Sequence, residues 1–193
     1  MSDSWYSSVD AETPLTQGDL ISECPVIAWA ASPLNLSGTE EAEVLKAATT
    51  AIRADIVIMT QACDLENNKV ENVIMCPHIS IDEYRQLWEE DMRKRKQSPT
   101  NRAWGRFCED IRDGQIWNLS ILNAGESSDQ KIEHRIVDFH DVYIIPRSFL
   151  ESLLKQRGRP RLRLNPPYRE HLSQAFARFF MRVGLPVPVT ITW

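Results

Sequence analysis

The hydrophobic pattern is clearest in the middle of the chain. Two runs, residues 56–59 and 73–76, are strand-length, rich in β-branched side chains and free of Gly and Pro. Neither run alternates, so both read as neighbouring strands buried on both faces. Between them lies a polar connector, residues 61–72, carrying Asn67, Asn68 and Asn72. It is too long for a tight hairpin and long enough to present side chains.

The rest of the pattern arranges itself around this pair. Residues 1–15 form a polar lead-in with Trp5 and Tyr6 as anchors. Gly18 opens a strand that is expected to break at Pro25, and a turn-rich connection follows over 28–38. Thr39 is expected to cap a helix over 40–52 with Leu45, Ala48 and Ile52 on one face. Ser80-Ile81-Asp82-Glu83 is a capping box, and the helix behind it is expected to bury Tyr84, Leu87, Trp88 and Met92 at helical spacing. It runs into Arg93-Lys94-Arg95-Lys96, where cations suit the C-terminal dipole. A second helical piece covers 101–113 and stops at Gly114. Strands are expected over 116–122 and 135–139 around a soft loop at 123–130, then over 141–146, with a short helix over 147–155. Asn165 and Pro166 open a last amphipathic helix with the stripe Leu172, Ala175, Phe176, Phe179, Phe180 and Val183. Gly184 and Pro186 end it, and 187–193 reads as a final strand.

The expectation is one α+β domain over 1–193, a small, mostly antiparallel sheet or barrel. Its strands come from 15–80 and 115–146. Residues 81–114 form a helical insertion, and 147–193 supply the C-terminal amphipathic helix and strand.

Composition narrows the class. With 42% hydrophobic and 25% charged residues over 193 positions, the chain can bury a core as a single globular domain. No apolar run approaches the ~20 residues that cross a bilayer, and the first residues lack a basic-then-apolar secretory pattern. The expectation is a cytoplasmic protein without membrane contact, in which Cys24, Cys63, Cys76 and Cys108 are reduced thiols. A net charge of −5 argues against unspecific nucleic-acid binding. Acidic residues gather at 40–43 and 82–91, basic ones at 155–163.

The order of elements carries a resemblance. Gly18-Asp19-Leu20-Ile21 opens a strand. A buried strand ending in a hydroxyl (55–60) and a second ending in a Cys-Pro step (73–77) follow. Later a Val-Asp-x-x-x-Val strand (137–142) leads into a short helix (146–154). In these pieces, which cover about half of the chain, the sequence resembles the PemK/MazF-like family of SH3-like β-barrels, whose members include sequence-selective mRNA endonuclease toxins. The resemblance implies Arg53 as the catalytic arginine, with Arg53-Ala54 where the family has Arg-Pro. It implies Ile79 or Ser80 at the family's catalytic Thr or Ser. Ser80 already has a capping role, and the insertion at 81–114 is foreign to the short toxins. The fold resemblance therefore carries further than the enzymatic one.

Candidate chemistry follows from residue types. Metal-independent RNA cleavage needs proton transfer and cations on the phosphate, for which His78 and Arg53 are candidates together with Ser80. The plainer readings are a turn histidine after Pro77 and an exposed cation at a helix end. Thr60, Gln61, Cys63 and Asp64 put hydroxyl, amide, thiol and carboxylate within five residues, a candidate ligand site. A Cys63–His78 nucleophile pair is conceivable there, against a turn in which Asp64 and Asn67 bond their own backbone. The spacing of Cys63, Cys76 and His78 is not a common zinc pattern, so neither metal nor cofactor is expected. Arg135 and His140 have a spacing known from ribonucleases, but on a strand they face opposite sides.

The strongest electrostatic feature is Arg157, Arg159, Arg161 and Arg163, joined by Arg178 and Arg182, with His171 and Gln174 on the same helical strip. No aromatic residues interleave with these cations, so base stacking is not indicated. Pairing with a partner protein or within the chain ranks ahead of RNA. The functional expectation is a binding module on a PemK/MazF-like barrel, making protein–protein or protein–nucleic-acid contacts in a prokaryotic stress-response or phage-defence system (toxin–antitoxin included). The alternative is a metal-independent endoribonuclease, an mRNA interferase-like toxin.

Overall fold

The computed structural model describes residues 4–30, 40–127 and 130–181. In chain order the elements are β1 (Tyr6–Val9), β2 (Leu20–Trp29), α1 (Glu41–Ala48), β3 (Thr49–Ile58), α2 (Ala62–Glu66), β4 (Asn72–Ser80), α3 (Ile81–Lys94) and α4 (Asn101–Arg112). They continue with β5 (Leu119–Leu122), β6 (Gly125–Ser127), β7 (Gln130–Ile132), β8 (Arg135–Asp138), β9 (Tyr143–Pro146), α5 (Arg147–Arg157), β10 (Arg161–Leu164) and α6 (Tyr168–Phe180). The fold is mixed α and β with antiparallel pairing throughout the described strands.

The main sheet has the order β2-β3-β4-β8-β5, and β9 also pairs with β4. β4 takes two partners in succession, β9 along Asn72 to Met75 and β8 along His78 to Ser80. β1 and β10 form a separate pair, tied to the start of β2 by a bridge between Asp19 and Arg163. β6 and β7 form a small hairpin. Among the described residues none of these sheets closes into a barrel.

The two apolar runs do lie side by side, with Ile56, Val57 and Ile58 opposite Pro77, Cys76 and Met75. Burial on both faces has a simple cause. Ile56, Ile58, Val73 and Met75 pack with Leu150 and Leu154 of α5. Val57, Met59 and Cys76 pack with Val137 and Phe139 and with Leu162, Leu164 and Leu172 of β10 and α6. Ile74 departs from this, at 36% exposed. A third cluster, Ile111, Leu119 and Ile136, lies beneath Tyr84, Trp104 and Phe107 of α3 and α4.

Several local expectations are corrected. β2 does not break at Pro25, which pairs with Arg53. An edge strand tolerates a missing N–H, and the irregularity sits earlier, between Ile21 and Cys24, with Glu23 at φ 48°. Helix α1 ends at Ala48, because the β-branched Thr49, Thr50 and Ile52 already belong to β3. Its N-cap is Glu40 without a side-chain bond, and Thr39 lies outside the described residues. The polar connector contains a short helix, α2. Leu87 is 55% exposed rather than buried. The soft loop at 123–130 contains β6 and the first residue of β7, with Gly125 packed so closely on Tyr6 that an added Cβ would lie 2.6 Å from its ring. Asn165 does not cap α6: its side-chain amide donates to the Ser4 carbonyl, and the helix starts two residues beyond Pro166. Val183 and the strand expected over 187–193 lie outside the described residues.

Candidate functional site

The strand register assembles a polar cluster that no single segment contains. Ile56 pairs with Pro77, so one step further along the two strands Asp55 faces His78. His78 pairs with Val137, and Arg135 stands two residues away on the same face of β8. Arg135 Nε donates to His78 Nδ1 at 3.0 Å, and its terminal nitrogen donates to the His78 carbonyl at 3.3 Å. The same nitrogen forms an ion pair with Asp55 Oδ2. Asp55 in turn accepts from the Glu23 backbone N–H at 2.8 Å, which fixes the irregular turn of β2.

His78 is 3% exposed. Burial, and then the Arg135 charge, push its pKa down to about 4, opposed by Asp55 and by the backbone of Ile56. The imidazole is therefore neutral at physiological pH. Because Nδ1 accepts from Arg135, the proton sits on Nε2, an atom buried without a hydrogen-bond partner. This tautomer has no free lone pair to act as a base.

The cluster forms one wall of a groove of about 650 Å³ between β2, the β7–β8 link, the end of α5 and β10. Its lining carries five basic side chains, Lys131, Arg135, Arg157, Arg159 and Arg161, and two carboxylates, Asp55 and Glu133. Leu20, Ile21, Ile132, Leu154 and Leu162 supply aliphatic surface.

Comparison with protein-family models, with curated proteins and with solved structures gives no match.

The residues singled out from sequence fall into separate places. Arg53 is 74% exposed, with Glu23 at 4.0 Å, and lines a shallow neighbouring groove with Arg157 and Arg159 rather than the wall that holds His78. Ser80 caps α3: its Oγ accepts from Glu83 N at 3.1 Å, and Glu83 Oε2 accepts from Ser80 N at 2.9 Å. That bonding holds the Glu83 carboxyl below the usual range and commits the hydroxyl. Thr60 Oγ1 accepts from Ile74 N at 2.7 Å, Gln61 is the N-cap of α2, and Cys63 is exposed beside Gln61 and Asp64.

This connector sits past the Ile58 end of β3, whereas His78 faces Asp55 near the middle. At roughly 3.3 Å per residue the Cys63–His78 pair is out of reach. Cys76 is fully buried, its thiol pushed up to about 12 by desolvation. Among the described residues no three of His, Cys, Asp or Glu group as a metal site.

The arginines divide as well. Arg161 and Arg163 turn inward to Asp19, which is fully buried, so these two pair within the chain, one of the two readings ranked ahead of RNA. Arg161 also donates to the carbonyls of Asp10, Thr13 and Pro14. Arg157 donates to the carbonyls of Ser22 and Glu23 at 2.7 and 2.6 Å. Arg178 lies over the Trp117 ring, and Arg182 lies outside the described residues. Arg159 is exposed, and among the described residues it has neither a hydrogen bond nor an ion pair. Sequence reading missed Asp55 and Lys131, and weighed Arg135 only with His140, which is exposed and faces Asp138 at 3.2 Å. Asp55 carried one usable signal, a lone carboxylate at the mouth of a continuous apolar run. No helix among the described residues is long and apolar enough to cross a membrane.

Proposed function

We propose that the protein is a binding module that captures an acidic, partly apolar stretch of a partner protein in the groove beside Arg135. One observation carries this reading: Lys131 and Arg159, two cations without a carboxylate partner among the described residues, border a groove whose lining also carries aliphatic side chains and no Phe, Tyr or Trp. Carboxylates of a bound segment would meet the cations while an apolar side chain meets the half-buried Ile132. A single RNA strand would use the cations but find no stacking platform in this groove.

The scaffold belongs to the same proposal. The meander β2-β3-β4 and the Gly18-Asp19 opening support a PemK/MazF-like relationship, and with it a place in a prokaryotic stress-response or phage-defence system. An endoribonuclease finds less support. His78 is sealed and has its acceptor nitrogen occupied, Ser80 is committed to a cap, and Arg53 stands apart.

A fluorescent peptide alternating Glu and Leu tests the reading by anisotropy. Binding is expected to weaken as salt rises and to be lost in Lys131→Glu combined with Arg159→Glu. Absence of binding, or a preference for single-stranded RNA over the peptide, would displace the proposal. RNA cleavage in EDTA that His78→Ala abolishes would replace it with the enzymatic reading.

A further inference from the structure

A second groove, of about 760 Å³, lies on the other side of the β7–β8 link. The link itself divides the two: Glu133 and Arg135 line the first groove, while His134 between them lines the second. The second groove is built from the end of α4, β5, the N-terminal segment and one face of α6. On α6, His171, Gln174 and Arg178 follow a spacing of three and four residues, so they share a face beside the apolar stripe that packs Leu172 and Phe176 inward.

The side chains gathered here differ from those of the first groove. Trp117 is 42% exposed, and the Arg178 guanidinium lies over its ring at 5.4 Å from the centroid. Trp5 enters the same wall, its indole stacked on Tyr168 with centroids 4.0 Å apart and planes at 13°. Flat π surfaces therefore stand beside a guanidinium that, among the described residues, has no carboxylate partner. Gln174 adds amide hydrogen-bonding groups, His134 and His171 add imidazoles, and Ile116 and Ile121 line the groove with aliphatic surface. Along the sequence no aromatic residues interleave with the arginines of 157–163; folding sets Trp117 against a further arginine, Arg178.

We propose that this groove is a binding site for a flat heteroaromatic ring bearing a phosphate, the chemistry of a nucleotide, with the ring stacked on the Trp117–Arg178 pair. A ring on this pair gains both π contact and cation–π attraction. The Arg178 guanidinium supplies N–H donors of the kind a phosphate accepts from, and the Gln174 amide can bond to the ring edge. The volume suits one nucleotide rather than a macromolecular face. The site shares no side chain with the first groove, so neither proposal depends on the other.

The full chain is titrated with AMP, with a short oligoadenylate, with adenosine and with inorganic phosphate, read by tryptophan fluorescence and by calorimetry. Saturable binding of AMP assigns the site to a free nucleotide. Binding of the oligoadenylate alone assigns it to a nucleotide within a strand. In either case Trp117→Leu and Arg178→Glu are each expected to weaken binding by at least about fivefold, the low end of what one base–aromatic stack contributes. Arg178→Lys, which keeps charge but not the stacking plane, should fall between wild type and Arg178→Glu. Circular dichroism confirms that each variant folds. No saturable binding of either nucleotide probe overturns the proposal, as does binding undiminished in both folded variants. Inorganic phosphate binding as well as AMP does so too, since it would reduce the site to an anion patch.

Discussion

Arg135 and His78 meet across adjacent strands, with guanidinium Nε donating to imidazole Nδ1 at 3.0 Å. The same guanidinium holds Asp55, so one side chain satisfies two partners that β3 and β4 place on a shared face. Arg135→Ala leaves both without it. The expected loss is about 3 kcal/mol of unfolding free energy, the low end for breaking a buried pair, since Asp55 is partly solvated. Arg53→Ala, at an exposed site, should change stability by less than about 0.5 kcal/mol. Urea titration of the two variants checks the contrast, and equal small effects would remove the cluster from the account.

Stability should depend on pH through His78. Its folded pKa, about 4, lies below the ordinary value of 6.5, so the unfolded chain binds the extra proton first as pH falls. The neutral imidazole's contribution is complete above pH 6.5, and is lost progressively as pH drops from there toward 4. His78→Gln should flatten the curve across that window. Thermal melts at pH 7.5, 6 and 5 measure it, and a wild-type curve as flat as the variant's would show that burial does not hold the ring neutral.

Asp19 should be among the least replaceable polar residues. It is fully buried, and accepts from Arg161 at 2.8 Å, from Arg163 at 3.0 Å and from the Thr16 N–H at 3.2 Å. Asp19→Asn keeps the shape but strands two guanidinium groups, at an expected cost of about 3 kcal/mol or more. Arg161→Lys should also destabilise, because an ammonium cannot reproduce the fork that reaches Asp19 and three carbonyls together. Chemical denaturation of both variants is the test.

Thiol labelling should follow exposure. Cys63 is exposed and Cys108 intermediate, while Cys24 and Cys76 are fully buried with thiols pushed up to about 11 and about 12 by desolvation. Iodoacetamide at pH 8 should modify Cys63 first and Cys108 next, and reach the other two only in denaturant, as read by mass spectrometry. Rapid Cys63 labelling is not a sign of catalysis, since its neighbours at 3.7 and 3.8 Å are the Gln61 amide oxygen and the Asp64 carboxylate. Neither activates a thiolate. Early modification of Cys76 would contradict the two-sided burial of β4.

What could be read without coordinates was local. The paired apolar runs, the Ser80–Glu83 capping box, the helical insertion and the α+β class all follow from periodicity and from bonds between near neighbours. Even Pro25 and Asn165 misled only about boundaries. The electrostatics were different in kind. Nothing in the spacing of Asp55, His78 and Arg135 says they touch, because antiparallel register, not sequence distance, brings them to one face. Likewise the alternating arginines of β10 left open a partner or a pairing within the chain, and Asp19, more than 140 residues earlier, decides for the second by drawing Arg161 and Arg163 inward. Trp117 and Arg178, on different elements, form a stack that no linear scan pairs. Side-chain charge and ring faces act through space over a few ångströms, so the chain's own order determines the elements, while only their packing decides which cations are consumed and which remain exposed.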